Sequence, residues 1–261
     1  SEIKIKIENL YKIFGPRASE YTNKVKSGID KDELLAKYNH VLGLDDINLD
    51  IKEQSIQVVM GLSGSGKSTL IRHINRLIEP TEGTVLVDGE DITKLNKADL
   101  LEFRRNKTGM VFQRFALFPH HNILDNVQFG LSIKNLDKSE SKDKAMYWIE
   151  KVGLTGFENK FPNQLSGGMQ QRVGLARALA IDPDILLMDE AFSALDPLIR
   201  TDMQDQLLDL QKNLKKTIIF ITHDLDEALK LGDRIAILNG GKLVQDGNAE
   251  EILLNPADEY V

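Results

Sequence analysis

The chain has 261 residues, 41% of them hydrophobic and 28% charged, a formal net charge of −7 and no cysteine. That length and balance suit a globular protein with a sizeable core, exclude disulfides and thiolate metal sites, and argue against a broad nucleic-acid-binding surface. No apolar run approaches the roughly 20 residues of a membrane helix, and the opening SEIKIKIENL lacks the apolar core of a signal peptide, so any tie to a membrane is expected to run through a partner.

Short apolar strands alternate with helical stretches, which predicts an α/β protein with a largely parallel sheet. Strands are expected at Ile3–Ile7, Ile47–Ile51, Ile56–Met60, Thr84–Val87, Thr108–Phe112, Ile185–Asp189, Thr217–Thr222 and Arg234–Leu238. A turn at Asn239–Gly241 then leads into a strand at Lys242–Gln245. Between the first two strands lies a polar, charge-mixed insertion at about 15–43. It reads as a solvated loop with a short helix around Lys31–Tyr38. It carries no phosphate ligand and is expected to be dispensable for chemistry, serving assembly or regulation. The segment at about 124–166 has helical spacing and no strand, and is expected to be an inserted helical subdomain. A further helix is predicted at Gln170–Ala180. Met203, Leu207, Leu210 and Leu214 recur at helical spacing and predict a helix over Pro197–Leu214.

The stretch MGLSGSGKST, Met60–Thr69, follows an apolar strand and opens a helix. Gly61, Gly66, Lys67 and Ser68 fit G-x-x-x-x-G-K-[ST], the spacing that holds nucleotide phosphates. Glycines let successive backbone N–H groups face one anion, and the helix start adds its positive dipole end. Lys67 would reach the β- and γ-phosphates and Ser68 would coordinate Mg²⁺. A second Mg²⁺ carboxylate is expected. The buried run ILLMDE ends in Asp189, a candidate for holding Mg²⁺ through water, and Glu190, placed for a general base. His223 closes another strand, where open α/β sheets carry ligands, although a lone histidine is more often structural. Ser166, Gly167 and Gly168 open a helix. By themselves they read as a plain cap before they read as a second anion site.

Taken together, these pieces resemble the nucleotide-binding domain of ABC transporters over essentially the whole chain. The order matches: the phosphate loop, Gln113 in MVFQRFALFPH like the Q-loop, LSGGM like the signature, ILLMDE as Walker B, SALD at Ser193–Asp196 as the D-loop, and ITHD as the His switch. Met169 stands where the signature usually ends in Gln, and Ala191 where Pro usually follows the Walker B glutamate. Neither change removes a phosphate ligand. MGLSGSGKST, NRLIEPT, DEAFSALDPLIR and the 15–43 insertion are similar to the ATPase subunits of glycine betaine/proline osmoprotectant importers. In that subfamily regulatory CBS domains usually follow, so the chain resembles the ATPase domain of a longer subunit or a short member.

The resemblance implies one ABC ATPase domain over 1–261, with a mostly parallel core sheet, an N-terminal antiparallel β-subdomain and an inserted helical subdomain. It implies ATP and Mg²⁺ as ligands. ATP would be held by Phe14, Gly61, Ser63, Gly64, Gly66, Lys67, Ser68 and Thr69. Phe14 takes the place of the aromatic that stacks on adenine, although its residue type also suits a core position. Ser68, Gln113 and Asp189 would serve the metal, and Glu190 and His223 the chemistry. ABC ATPases work as head-to-tail pairs, so Ser166, Gly167 and Gly168 would close on the other subunit's ATP, with Asp196 at the interface. The implied partners are a second copy when ATP is bound and transmembrane permease subunits, either fused to or served by a solute-binding protein, with no nucleic acid. The implied place is the cytoplasmic face of a bacterial-type membrane. An ABC-type ATPase of DNA repair or translation is the alternative. The repair ATPases split their motifs around a long coiled coil, and no sustained heptads run between Gln113 and Leu165.

Overall fold

Two twelve-residue strands, β1 (Ile3–Phe14) and β2 (Val41–Lys52), flank two short helices, α1 (Thr22–Lys26) and α2 (Lys31–Tyr38). β3 (Ile56–Met60) leads to α3 (Lys67–Ile74), followed by β4 (Glu82–Val87), β5 (Glu90–Asp91), α4 (Lys97–Asn106) and β6 (Thr108–Phe112). Then come α5 (Ile123–Ser132), α6 (Lys138–Lys151), α7 (Gly167–Ala180), β7 (Ile185–Asp189) and α8 (Pro197–Leu214). β8 (Thr217–Thr222), α9 (Leu225–Leu231), β9 (Arg234–Asn239), β10 (Lys242–Gly247) and α10 (Ala249–Leu254) complete the chain. The computed structural model describes residues 2–113, 116–134 and 136–261. The class is α/β, with one antiparallel and one mostly parallel sheet. The chain divides into two units, Ser1–Leu100 with Ile219–Val261, and Leu101–Ile218.

In the first unit β2, β1, β4 and β5 form the antiparallel sheet in that order. β1 runs twice as far as its alternation predicts. Its buried positions change from Ile5 and Ile7 to Leu10, because the register slips between Ile7 and Leu10. Asn9 absorbs the slip with φ +48, and its backbone N–H donates to Asn48 Oδ1 at 3.0 Å. Such a bulge inverts the inward face, which hides the rest of the strand from a period-two reading. β3 is buried at Ile56, Gln57, Val58 and Val59 and pairs in parallel with β9, Val58 opposite Ile235. β9 turns into β10 through Gly240 and Gly241, φ +58 and +84, a two-residue turn needing left-handed backbone at both positions.

Residues 15–43 are not a solvated loop. The short helix expected at Lys31–Tyr38 is α2, and around it the insertion folds onto the antiparallel sheet. Val25 and Leu34 join Tyr11, Ile13 and Leu42 in a buried cluster, with Tyr21, Ile29 and Tyr38 packed beside it. His40 is 4% exposed, and its two ring nitrogens lie 2.7 Å from the Tyr38 carbonyl and 2.8 Å from that of Pro16. Three apolar anchors spread through a polar stretch carry no period, which is why composition pointed the other way.

In the second unit β6 and β7 are parallel neighbours, Thr108 opposite Ile185 and Phe112 opposite Asp189. β7 is buried throughout, as expected of a parallel strand covered on both faces. The 124–166 segment contains α6 and most of α5, and these two helices pack on each other and on α7. α7 begins at Gly167, three residues earlier than its apolar pattern predicts, because glycines give no periodic signal.

Candidate functional site

The candidate phosphate loop is built by exclusion of side chains. A Cβ on Gly61 would lie 2.3 Å from Ser65 Oγ and 2.6 Å from the Leu238 carbonyl. Gly64 and Gly66 have φ +80 and +103, and Gly66 caps α3 in a left-handed conformation that a larger residue would strain. The chain turns at Ser65 N–H to Leu62 carbonyl, 3.1 Å, and enters α3 with Leu70 N–H on the Gly66 carbonyl, 2.8 Å. The β9–β10 turn braces the loop: Gly241 N–H donates to the Ser65 carbonyl at 2.9 Å. Lys67 is buried at 6% exposure, and its Nζ lies 3.4 Å from the Leu62 carbonyl. Gly61, Ser63, Gly64, Gly66, Lys67, Ser68 and Thr69 thus share one loop and the first turn of α3.

Phe14 ends β1 and is 39% exposed, which leaves ring surface for stacking, with Lys12 Nζ 5.2 Å from its centroid. It is tied to the loop through Gly43. A Cβ there would meet the Phe14 ring at 2.6 Å, while the Gly43 carbonyl stands 2.9 Å from where a Gly66 Cβ would be. The same unit carries His223, exposed after β8, where Asp224 caps α9 by accepting from Glu227 N–H at 3.2 Å.

The second unit brings Gln113 and Asp189 to the C-terminal ends of adjacent strands. Asp189, 8% exposed, is the register partner of Phe112, and Gln113 is the next residue. Glu190 has φ +50, which costs a non-glycine residue roughly 1 kcal/mol or more and is held by the turn leading out of β7. Its carbonyl accepts from Ser193 Oγ at 2.7 Å and from Ser193 N–H at 3.2 Å. Arg200 donates to the carbonyls of Ser193 and Leu195, bracing the same turn from β7 to α8. Asp196 caps α8 without a side-chain hydrogen bond, ahead of Pro197.

Ser166 is the cap of α7, its Oγ accepting from Met169 N–H at 3.2 Å. Gly168 also has a packing role: a Cβ would fall 2.5 Å from Ile199 Cγ2 on α8. Two supporting residues carried no sequence signal. Gln171, 1% exposed, reaches the Phe112 carbonyl through Nε2 at 3.4 Å, beside Gln113. Asn126, fully buried, accepts from Phe118 N–H and donates to the carbonyls of Phe118, His121 and Asn122, holding the segment after Gln113 to α5. Such residues are recognised only by what folding places beside them. Among the described residues no group of three or more His, Cys, Asp or Glu is arranged to hold a metal. Mg²⁺ is usually held by one or two protein oxygens together with waters and substrate phosphates, a set that a serine hydroxyl and a carboxylate suit.

The family model for ABC transporters matches residues 44–193, a span that holds the phosphate loop, Gln113, the signature and Walker B. The chain belongs to the ABC transporter family. Two curated ABC relatives are the glycine betaine transport ATP-binding protein OpuAA of Bacillus subtilis, 57% identical, and the trimethylamine N-oxide transport system ATP-binding protein TmoW of Pelagibacter ubique, 51% identical. These matches cover 99% and 98% of this chain, and 62% and 75% of the relatives. The chain therefore spans less than two thirds of OpuAA. A dimeric structure of a bacterial ABC transporter cassette is 34% identical with a TM-score of 0.78, covering 94% of this chain and 98% of that one. The same cassette has a dimeric post-hydrolysis structure bound to ADP and Pi, with the same likeness. The expected α/β ABC ATPase fold is the one observed.

Proposed function

We propose that this chain is the ATP-hydrolysing part of an ABC importer, driving uptake of a compatible solute such as glycine betaine or a related quaternary amine. The observation that carries the reading is the left-handed backbone at Gly64 and Gly66. Left-handed backbone there, ahead of the start of α3, is the conformation that lets loop N–H groups face one anion, with Lys67 opening the helix. The solute rests on the relatives, which are named for transport of glycine betaine and trimethylamine N-oxide. Those names also favour transport over DNA repair or translation.

In this reading Phe14 stacks on adenine, and Gly61 through Thr69 cradle the phosphates. Lys67 offsets charge on the β- and γ-phosphates. Ser68 would hold Mg²⁺, with Asp189 serving it through water and Gln113 sensing it. Bound there, the ion would neutralise phosphate charge. Glu190 takes the proton of the attacking water and His223 contacts the γ-phosphate. Two copies would pair head to tail, Ser166, Gly167 and Gly168 of each closing on the nucleotide of the other, with Asp196 between them. The 1–261 span would act as one ATPase domain with a helical part at about 124–166, and Gln113 would report the state of the Mg²⁺ to permease subunits at the cytoplasmic face of a membrane. A solute-binding protein would deliver the cargo.

The test is ATP turnover and ATP binding by the chain and by Lys67→Ala. The substitution is expected to abolish both nearly completely. Unchanged turnover in the variant would remove the phosphate-loop assignment.

A further inference from the structure

The insertion reaches the phosphate loop. Leu34, fully buried, pins α2 against Tyr11 and Ile13 of β1 and Leu42 of β2. Lys31 precedes Leu34 by three residues, so it stands on the same side of the helix. Its Nζ lies 3.4 Å from the carbonyl oxygen of Gly64. Lys67, from α3, has its own Nζ 3.4 Å from the carbonyl of Leu62. Two ammonium groups from different helices therefore sit on alternate carbonyls of one loop. Both contacts are at the long limit of a hydrogen bond, so each is readily exchanged for a phosphate oxygen, a stronger charge-assisted acceptor.

The surroundings suit such an exchange. A Cβ on Gly64 would meet nothing within 4 Å among the described residues, so the loop is bare on that side. Two of the acids beside Lys31 in sequence are engaged locally: Asp30 accepts from Glu33 N–H at 2.7 Å, and Glu33 pairs with Lys37 at 2.6 Å. Lys67 marks the end of the loop where the β- and γ-phosphates belong. An ammonium on the Gly64 carbonyl of the same loop adds a second positive charge beside the phosphates that the loop would hold.

Resting on the nucleotide reading above, we propose that Lys31 is a nucleotide-contacting residue, supplied by the 15–43 insertion and absent from the general motif set. On binding, its ammonium leaves the Gly64 carbonyl and pairs with a phosphate oxygen of the nucleotide. A triphosphate brings more negative charge to that loop than a diphosphate and gains more from the added ammonium. The insertion thereby makes the site discriminate triphosphate from diphosphate, and it is not dispensable for occupancy.

The experiment is equilibrium titration of the full chain with the non-hydrolysable analogue AMP-PNP and with ADP, both with Mg²⁺. The proteins are the parent, Lys31→Met, Lys31→Arg and Lys67→Ala. Lys31→Met keeps length and loses charge at a half-exposed position, so folding is expected to be normal by circular dichroism. It should weaken AMP-PNP about fivefold and ADP less than about twofold, while Lys31→Arg binds like the parent. A Met variant that binds both nucleotides like the parent overturns the proposal. So does one that loses both equally, since that would make Lys31 a brace on the loop. A parent that binds no AMP-PNP, or a Lys67→Ala variant that binds it normally, would sink the nucleotide reading and this inference with it.

Discussion

The hydroxyl of Tyr260 joins the phosphate loop to β9. It accepts from Leu62 N–H at 3.1 Å and donates to the Leu238 carbonyl at 3.2 Å. Gln245 fixes the segment that carries the tyrosine, donating to the Asn255 carbonyl at 2.9 Å and accepting from Ala257 N–H at 2.8 Å. A residue 198 positions away in sequence thus sets the first turn of the loop. Tyr260→Phe keeps the ring and removes both bonds, each worth about 1 kcal/mol. ATP affinity is expected to fall about threefold to tenfold by titration, with a smaller change in kcat. Unchanged affinity would show that the loop holds its shape without the hydroxyl.

Glu190→Gln preserves side-chain size and loses the ability to take a proton near neutral pH. Hydrolysis should fall by about two to four orders of magnitude. Nucleotide binding should survive. With ATP bound and not consumed, and one carboxylate fewer per chain beside the γ-phosphates, a dimer should accumulate with ATP and not with ADP. Light scattering after size exclusion reads this directly. A parent-like rate would dismiss Glu190 as the base, and an inactive monomer at saturating ATP would undercut the shared site.

Ser193→Ala tests whether the strained backbone of Glu190 matters to the chemistry. The substitution removes the 2.7 Å bond to the Glu190 carbonyl and leaves that from the Ser193 N–H. A loss of about 1 kcal/mol in positioning corresponds to roughly a fivefold fall in kcat with KM unchanged. Adding the same change to Glu190→Gln should lower the residual rate no further. An extra loss there would mean that Ser193 acts by another route.

His73 gives the fold a dependence on pH. It is 1% exposed, its Nδ1 2.7 Å from the Thr69 carbonyl and its Nε2 without a partner among the described residues. Burial pushes its pKa from 6.5 down to about 4, opposed by the Thr69 contact and reinforced slightly by Lys12. Between those values the unfolded chain binds a proton that the folded chain refuses, so stability rises with pH across the window. The contribution is fully present above about 6.5 and lost as the pH falls toward about 4, by roughly 3 kcal/mol at most. His73→Leu should therefore lose less stability than the parent between pH 7 and pH 5 in urea unfolding. Equal losses would mean that the imidazole is accommodated in both forms.

Short-range patterns were enough to mark the candidate site. Gln113, His223 and the Ser166 helix start were named through the family resemblance, while Gly61 to Thr69 and Asp189 with Glu190 are legible because each is a few residues whose spacing constrains local backbone. The long helix Pro197–Leu214 and the buried strands were legible for the same reason, since periodicity acts over a few turns. Contacts across large sequence gaps came only with folding. A bulge at Asn9 reverses the inward face of β1, so the second half of that strand reads as loop. Gly168 is needed by Ile199, and Gly43 by Phe14, through close approaches that spacing does not record. Lys31 and Tyr260 reach Gly64 and Leu62 because Leu34 and Gln245 anchor the segments that carry them. Side-chain packing over distance selects which polar residue stands beside the loop, and no local pattern encodes that choice.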